Sequence, residues 1–428
     1  MSDPLRLGIA GLGTVGVGVV RILRGHAAML TARTAREIQI AAVSARSRDK
    51  DRGISLSDYP WEDDPVALAK RDDIDVFVEL MGGEDGPAKA ATVAALDAGK
   101  DVVTANKAML ALHGQALAEQ AEAAGRALKF EAAVAGGIPI IKTLTEGLAG
   151  NVTTRVMGVM NGSCNYILTR MENSGKTYQE IFDEAEGLGY LEADPKLDVG
   201  GIDAAHKLAL LSAISFGTQV NFGGIQLEGI EQVRIEDIRA AADMGYKIKL
   251  LGVTEMTGRG LEQRMQPCLV PATAPLGQLD GGTNMVVVEG DAVGQIVLRG
   301  AGAGEGPTAS AVLSDICDVA RGQRGPVFGQ PATSLIKSAS ATSQAPAPYY
   351  LRMDLIDKPG ALAKIASVLG DAGVSINRMR QYQHETPEAP VLIVTHKSTH
   401  ASVSQALSAM TETGVVAGIP VALRIEEI

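Results

Sequence analysis

The chain has 428 residues, 46% of them hydrophobic, enough for about two to three domains with buried cores. A net charge of -11 and a pI near 5.2, with no basic stripe interleaved with aromatics, argue against a nucleic-acid partner. With a mean hydropathy of +0.11, no apolar run of membrane-spanning length and no visible signal peptide, no membrane association and a cytoplasmic location are expected. The three scattered cysteines, Cys164, Cys268 and Cys317, match neither a disulfide framework nor a zinc site and are expected to be reduced.

The opening LRLGIAGLGTVGVGVVRIL reads as a buried strand, a glycine turn and a helix, with G-x-G-x-x-G at Gly11, Gly13 and Gly16. A bare glycine motif is a weak signal, but a strand before and a helix after make it a dinucleotide site. Gly11 permits the tight turn, Gly13 lets the backbone approach a pyrophosphate, and Gly16 allows close helix packing. Thr14 and Val15 begin the helix whose N-terminus attracts the phosphates. A second strand over 38–44 runs into Ser44-Ala45-Arg46-Ser47, where an NAD site usually places an acid. Arg46, with Arg48 or Lys50 behind it, is instead placed to meet a 2′-phosphate, which favours NADP over NAD. The plainer alternative is a set of solvated loop charges. Further buried strands over 73–83 and 100–110, alternating with Ala-rich helices and followed by a strand over 127–131, imply a Rossmann-type doubly wound α/β sheet over residues 1–131.

From residue 132 to 329 the pattern becomes mixed α+β, with strands expected in TTRVMGVM, GYKIKLLGVTEM, LEQRMQPCLV, NMVVVEG and QIVLRG. A glycine loop then feeds a long helix over 300–320. Residues 330–348, small, polar and Pro-containing, read as a linker. The last part, 349–428, shows a ferredoxin-like β-α-β-β-α-β order with an Asp-x-Pro-Gly turn at Asp357 to Gly360.

The densest chemistry lies in GYLEADPKLDVGGIDAAHK, which holds Glu192, Asp194, Asp198, Asp203, His206 and Lys207 between glycines. A helix from Gly201 puts Asp203 and Lys207 four apart on one face, so the carboxylate can orient the amine. An ordinary surface ion pair has the same spacing. Here, however, the pair follows three more acids and runs into the apolar LALLSAISF, so the helix carries its charges at the mouth of a core. None of the six histidines shows zinc spacing with the cysteines. Proton transfer is therefore expected from lysine, which suits it when desolvated or beside another cation.

This stretch closely resembles the signature of homoserine dehydrogenases, carried here by Ala185, Gly189, Tyr190, Asp194, Pro195, Asp198, Gly201, Asp203 and Lys207. Leu191 departs from it, since a small residue usually follows the aromatic. The resemblance extends over essentially the whole chain and implies NAD(P)-dependent interconversion of L-homoserine and L-aspartate 4-semialdehyde on the route to threonine, methionine and isoleucine. It implies Lys207 as proton donor, Lys107 in TANK as a second lysine touching substrate and nicotinamide, and Asp203 holding Lys207 or the substrate hydroxyl. Glu192 and Asp198 become anchors for the substrate ammonium, with Asn161 of NGSCNYIL and Tyr190 lining the same pocket. Gly189 and Gly304 are implied on the cofactor side, with residues 300–320 returning to the cofactor. Glu131, Val134, Gly136 and Ile138 are implied as ligands of sodium or a similar monovalent cation.

The C-terminal module resembles an ACT domain, with L-threonine as the expected inhibitory effector; a ligand-free dimerisation module is the alternative. Residues 132–329 are expected to form the catalytic and dimerisation domain of a homodimer or homotetramer, and the C-terminal module to be detachable. Two rivals remain at this level. One is an acyl-phosphate-using semialdehyde dehydrogenase, which needs Cys164 as thiolate nucleophile. The other is a non-catalytic amino-acid sensor.

Overall fold

The computed structural model describes residues 3–191, 194–341, 344–381 and 388–428. Its N-terminal part alternates β1 (Leu5–Ala10), α1 (Thr14–Thr34), β2 (Ile38–Ser44), β3 (Trp61–Glu62), α2 (Pro65–Ala69), β4 (Val76–Glu79), α3 (Pro87–Asp97), β5 (Asp101–Thr104), α4 (Lys107–Ala123) and β6 (Leu128–Lys129). The strands pair in parallel in the order β3-β2-β1-β4-β5-β6. β4 and β5 are buried along their whole length, as expected of strands covered by helices on both faces. The strand expected over 127–131 is only the two residues of β6. At Glu131 the chain leaves the sheet in a 3₁₀ turn, Glu131–Ala133.

Among the described residues, α1 alone has the length and apolar composition to cross a membrane, contrary to the sequence reading that no such run exists. Its buried Val19, Val20, Leu23 and Leu30 belong to the core shared with β1 and the later helix over Glu305–Ala320.

The second part contains α5 (Ile140–Lys142), β7 (Thr153–Val159), α6 (Gly162–Ser174), α7 (Tyr178–Gly187), α8 (Pro195–Val199), α9 (Ile202–Phe216), β8 (Gln226–Leu227), α10 (Ile235–Asp243), β9 (Tyr246–Thr257), β10 (Gly260–Pro271), β11 (Thr283–Gly290), β12 (Gly294–Ala301) and α11 (Glu305–Ala320). All five strands expected here are present. α9 is buried from Asp203 to Ile214, which fits its nearly unbroken apolar sequence. α11 crosses back to α1. A Cβ on Gly18 would lie 2.9 Å from the Glu305 carbonyl oxygen and 3.1 Å from Ala309 Cβ, so a glycine is what lets the two helices approach.

The ACT portion, β13 (Tyr349–Ile356), α12 (Ala361–Asp371), β14 (Ile376–Gln381), β15 (Glu388–Thr395), α13 (His400–Glu412) and β16 (Val416–Ile425), is not an independent sheet. β16 pairs in parallel with β10 through Cys268↔Arg424 and Leu269↔Ile425. One sheet therefore runs β12-β11-β7-β9-β10-β16-β13-β15-β14, with β8 also on β10. Buried Asp237 on α10 accepts from Tyr350 Oη at 2.8 Å and Arg352 Nε at 2.6 Å. The segment 330–348, expected as a linker, is tied to the body. Leu261 N donates to Ala339 O and Ala341 N to Leu261 O, and Ile336 bridges to Thr218.

Candidate active site

A cleft of about 540 Å³ opens between the glycine turn and the mixed sheet. Its floor is assembled from three chain reversals. At the first, β5 ends and Asn106 caps α4: its Oδ1 accepts from Met109 N at 3.1 Å and its Nδ2 donates to Gly83 O at 2.7 Å. This cap fixes Lys107 as the first residue of α4, facing the cleft. At the second, β7 gives way through Met160 to Asn161, which caps α6 by accepting from Cys164 N at 2.8 Å. At the third, Gly201 adopts a left-handed φ of 78° between α8 and α9, so that Asp198 and Asp203 both reach Asn161. Asn161 Nδ2 donates to Asp198 Oδ1 at 2.9 Å and lies 3.4 Å from Asp203 Oδ2.

Asp203 is the centre of this arrangement. Its Oδ2 accepts from Lys207 Nζ at 2.7 Å and its Oδ1 meets Lys107 Nζ at 2.8 Å. Lys207 Nζ also donates to Met160 O at 2.8 Å. An ammonium has three donors, so Lys207 keeps one for an oxygen entering the cleft. Burial alone would push the Asp203 carboxyl up, yet the Lys207 and Lys107 ammoniums hold it well below the usual carboxylate range. Burial lowers the neighbouring His206 imidazole against the pull of Asp203, and its ring packs on Phe222 at 4.5 Å.

Tyr190 lies at the rim, stacked on Tyr166 at 4.2 Å, with its carbonyl accepting from Ser163 Oγ at 2.6 Å. Gly189, Leu191 and Asp198 line the same opening. Glu192 lies outside the described residues. Cys164 is fully buried, its Sγ donating to Asp198 O at 3.2 Å, and burial, with Asp198 and Asp203 beside it, pushes the thiol well above its ordinary value. Such a thiol does not supply the thiolate that an acyl-enzyme mechanism needs.

On the cofactor side, Gly11 has φ 99° and passes so close to the Leu80 carbonyl that a Cβ would lie 2.4 Å away. A Cβ on Gly16 would sit 2.0 Å from the Gly11 oxygen, whereas one on Gly13 would meet nothing within 4 Å. The space before Gly13 and the uncapped start of α1, where Thr14 and Val15 begin the helix, fit a pyrophosphate. Gly304, φ 117°, begins α11, and the preceding Ala303 lines the cleft together with Val15. Arg46 is exposed just beyond β2, with no hydrogen bond or ion pair among the described residues. The loop behind it is wrapped around Arg52, which donates to Leu12 O at 3.0 Å and to Ser47 O at 2.5 Å.

The homoserine dehydrogenase family profile matches residues 139–317, the homoserine dehydrogenase NAD-binding domain profile residues 11–131, and the ACT domain profile residues 349–414. The homoserine dehydrogenase of Neisseria gonorrhoeae is 42% identical over 95% of both chains. The chain belongs to the homoserine dehydrogenase family. The crystal structure of the Thiobacillus denitrificans homoserine dehydrogenase superimposes with a TM-score of 0.94 at 39% identity, covering 99% of each chain. A hyperthermophilic archaeal homoserine dehydrogenase, solved in complex with NADPH, matches at 0.62 and 27% identity over 74% of this chain and 97% of its own. As a member of the family the protein is an oxidoreductase with a nicotinamide-binding domain and an ACT domain.

The loop expected to hold a monovalent cation surrounds a buried carboxyl. Glu131 Oε1 and Oε2 accept from Ile141 N at 2.8 Å and Lys142 N at 2.9 Å, and Glu131 N donates to Asp315 Oδ2 at 2.8 Å. Burial, then Asp315, pushes the Glu131 carboxyl up to about 7. Ala135 and Gly136 take left-handed φ values of 54° and 56°, which crumples the backbone of 134–138 beside it. A buried carboxyl is the hard-oxygen chemistry that suits such an ion, while the Ile138 carbonyl accepts from Ile140 N at 2.8 Å.

Three residues of the site were not foreseen. Glu79, buried in the apolar β4, accepts from Met81 N, Gly82 N and Thr104 Oγ1 and so shapes two of the turns around the cleft; an acid inside an apolar strand was the available signal. Asn106 was visible as the Asn of TANK, a good cap residue. Asn284 lines the cleft almost fully buried, with no hydrogen-bond partner for its Oδ1; nothing in the run NMVVVEG marks it.

Proposed function

We propose that the protein interconverts L-homoserine and L-aspartate 4-semialdehyde, using NADP in preference to NAD, on the route to threonine, methionine and isoleucine. The observation that carries this reading is the grip of one buried carboxylate, Asp203, on two lysines at the floor of the cleft. The bound nicotinamide supplies or accepts the hydride. The chain's part is to move one proton and to hold the substrate. In the reductive direction Lys207 gives a proton from Nζ to the aldehyde oxygen, becoming a neutral amine that takes it back when the alcohol is oxidised. Asp203 fixes the direction of that N–H, and Lys107 brings a second positive group against the developing oxygen charge.

Asp198, with Glu192, faces the substrate ammonium, while Asn161 and Tyr190 bound the pocket. Gly11, Gly13, Thr14, Val15, Gly16, Gly189 and Gly304 receive the dinucleotide, with Arg46 meeting the 2′-phosphate. The NADPH bound by the archaeal relative and the absence of an acid after β2 support this preference. Sodium or a similar ion, held by Glu131 and the carbonyls of Val134, Gly136 and Ile138, would brace the loop beside the cleft. The ACT domain would bind L-threonine at the Asp357 to Gly360 turn and inhibit, within a cytoplasmic homodimer or homotetramer.

The reading is tested by following oxidation of NADPH and of NADH with L-aspartate 4-semialdehyde, with and without threonine. Faster turnover with NADPH, reduced by threonine, is expected. No turnover with either cofactor removes the reaction, equal rates remove the NADP preference, and an indifferent rate with threonine removes the feedback. For the ion, sodium chloride should raise the melting temperature relative to an organic-cation chloride in the wild type but not in Glu131→Gln, because a ligand of the native state alone stabilises it by mass action.

A further inference from the structure

The aromatic residue at the rim of the cleft is held by groups that lie behind the cleft lining. α7 closes at Leu188 and the chain then reverses. Gly189, at a left-handed φ of 73°, donates its N–H to Glu186 O at 3.0 Å, and Tyr190 N donates to Ala185 O at 3.0 Å. Paired bonds of this kind, with a glycine just past the helix cap, end a helix in one fixed direction. Ser163 Oγ, donating to Tyr190 O, ties the same backbone to the start of α6.

The Tyr190 side chain is a separate matter, because it is 45% exposed and holding it in one rotamer costs entropy that a contact must offset. Tyr166 on α6 supplies the contact. The two rings stack with centroids 4.2 Å apart and planes 11° from parallel. Tyr166 is tied down in turn: its Oη donates to Glu184 Oε1 at 2.9 Å, and Arg170 grips that carboxylate through Nε at 2.8 Å and Nη2 at 3.1 Å. α6 carries Tyr166 and Arg170 while α7 carries Glu184, so the platform clamps together the two helices that fix the Tyr190 backbone. Gly282, on the cleft lining, lies beside the same ring, since a Cβ there would stand 3.7 Å from Tyr190 Cε1. Tyr190 lines the cleft and Tyr166 does not, so Tyr166 meets the site through its neighbour's ring.

We propose, resting on Tyr190 as a wall of the substrate pocket, that Tyr166 is a positioning residue for substrate binding. Its ring, held by Glu184 and Arg170, presets the Tyr190 ring before the substrate arrives. A preset wall spares the substrate the cost of ordering it on binding. Loss of the platform therefore weakens substrate binding and leaves proton transfer at Lys207 unaltered.

The test is steady-state kinetics of aspartate semialdehyde reduction by full-length Tyr166→Leu, Tyr166→Phe, Tyr190→Leu and the double variant carrying both leucines. Tyr166→Leu should raise the KM for the semialdehyde about two- to tenfold, the effect of losing an aromatic pair, with kcat and the KM for NADPH unchanged. Tyr166→Phe keeps the ring and should lie close to wild type. Because Tyr166 acts through Tyr190, the double variant should have the same KM as Tyr190→Leu alone. The role of Tyr166 is refuted if Tyr166→Leu keeps the wild-type KM while Tyr190→Leu raises it, or if Tyr166→Phe is as impaired as Tyr166→Leu. It is equally refuted if kcat or NADPH binding falls in step with the semialdehyde, the mark of a general folding defect, or if the two KM effects multiply in the double variant. A wild-type KM in Tyr190→Leu would instead remove Tyr190 from the pocket, and the role of Tyr166 with it.

Discussion

Asp203 carries two ammonium contacts that different parts of the sequence supply. Lys207 is its neighbour one helical turn along α9, so this pair could be read from spacing alone. Lys107 arrives from the start of α4 across the cleft, and no local periodicity announces that meeting; the family resemblance suggested only that Lys107 lies near the substrate and nicotinamide. Asp198 differs again, since it faces the cleft because α8 is one short turn capped by Asp194 and ended by the glycine pair. Asp198→Asn keeps the shape but removes the charge proposed to face a substrate ammonium. It should raise the KM for homoserine roughly ten- to hundredfold and leave that for NADPH unchanged. A shift confined to the cofactor's KM would mean the acid had been given the wrong partner.

Lys249 shows a cost that sequence does not reveal. It is buried on β9, donating to Asn165 Oδ1 at 3.0 Å and to Leu279 O, and so holds the turn that ends at Gly282 on the cleft wall. Burial lowers its ammonium from 10.5 to about 8. Because the folded-state value lies below the unfolded one, the contribution to stability is fully present above pH 10.5 and is lost as pH falls through about 8. The stability of the wild type relative to Lys249→Met should therefore rise between about pH 7 and about pH 10. Thermal melts showing a constant gap would mean that the amine is solvated.

At the scale of elements, the sheet strands were legible because their apolar residues run unbroken or alternate. The 3₁₀ turn at Glu131–Ala133 was not, since Glu-Ala-Ala carries no turn chemistry and its shape comes from Asp315 gripping Glu131 N. The return of residues 300–320 towards the cofactor came only from the family resemblance, and nothing local marked the crossing of α1 and α11. Gly18 lies two residues beyond the phosphate-loop glycines and is needed for a helix nearly three hundred residues away. Gly18→Ala would force α11 aside, and overpacking of this kind costs about 1 to 3 kcal/mol. A lower melting temperature together with weaker NADPH binding is expected, since α1 and α11 both begin beside the cleft. A variant that melts and binds like wild type would show that the two helices separate freely.

For the whole molecule, composition misled. Residues 330–348 are small and polar like a flexible linker, yet their backbone groups pair with β10, and hydrogen bonding by a main chain leaves no mark on composition. The ACT strands likewise continue the catalytic sheet through β16, with Arg264 buried against Glu426. A chain ending at Gln330 would leave Arg264 without one of its acids. Removing one partner of a buried ion pair typically costs about 3 to 5 kcal/mol. The truncated protein should melt well below the full chain, contrary to what a detachable module implies. Equal melting temperatures would show that the seam contributes nothing to stability.

The proposed reaction turns on one proton transfer, and the most direct test of it is Lys207→Ala, assayed for kcat in aspartate semialdehyde reduction alongside a fluorescence titration with NADPH. Loss of a general acid costs about 10² to 10⁴ in rate, while the glycine turn that receives the cofactor is untouched. The account predicts a fall in kcat of that size with NADPH affinity near wild type. A variant turning over within about threefold of wild type, less than any general acid contributes, would contradict it.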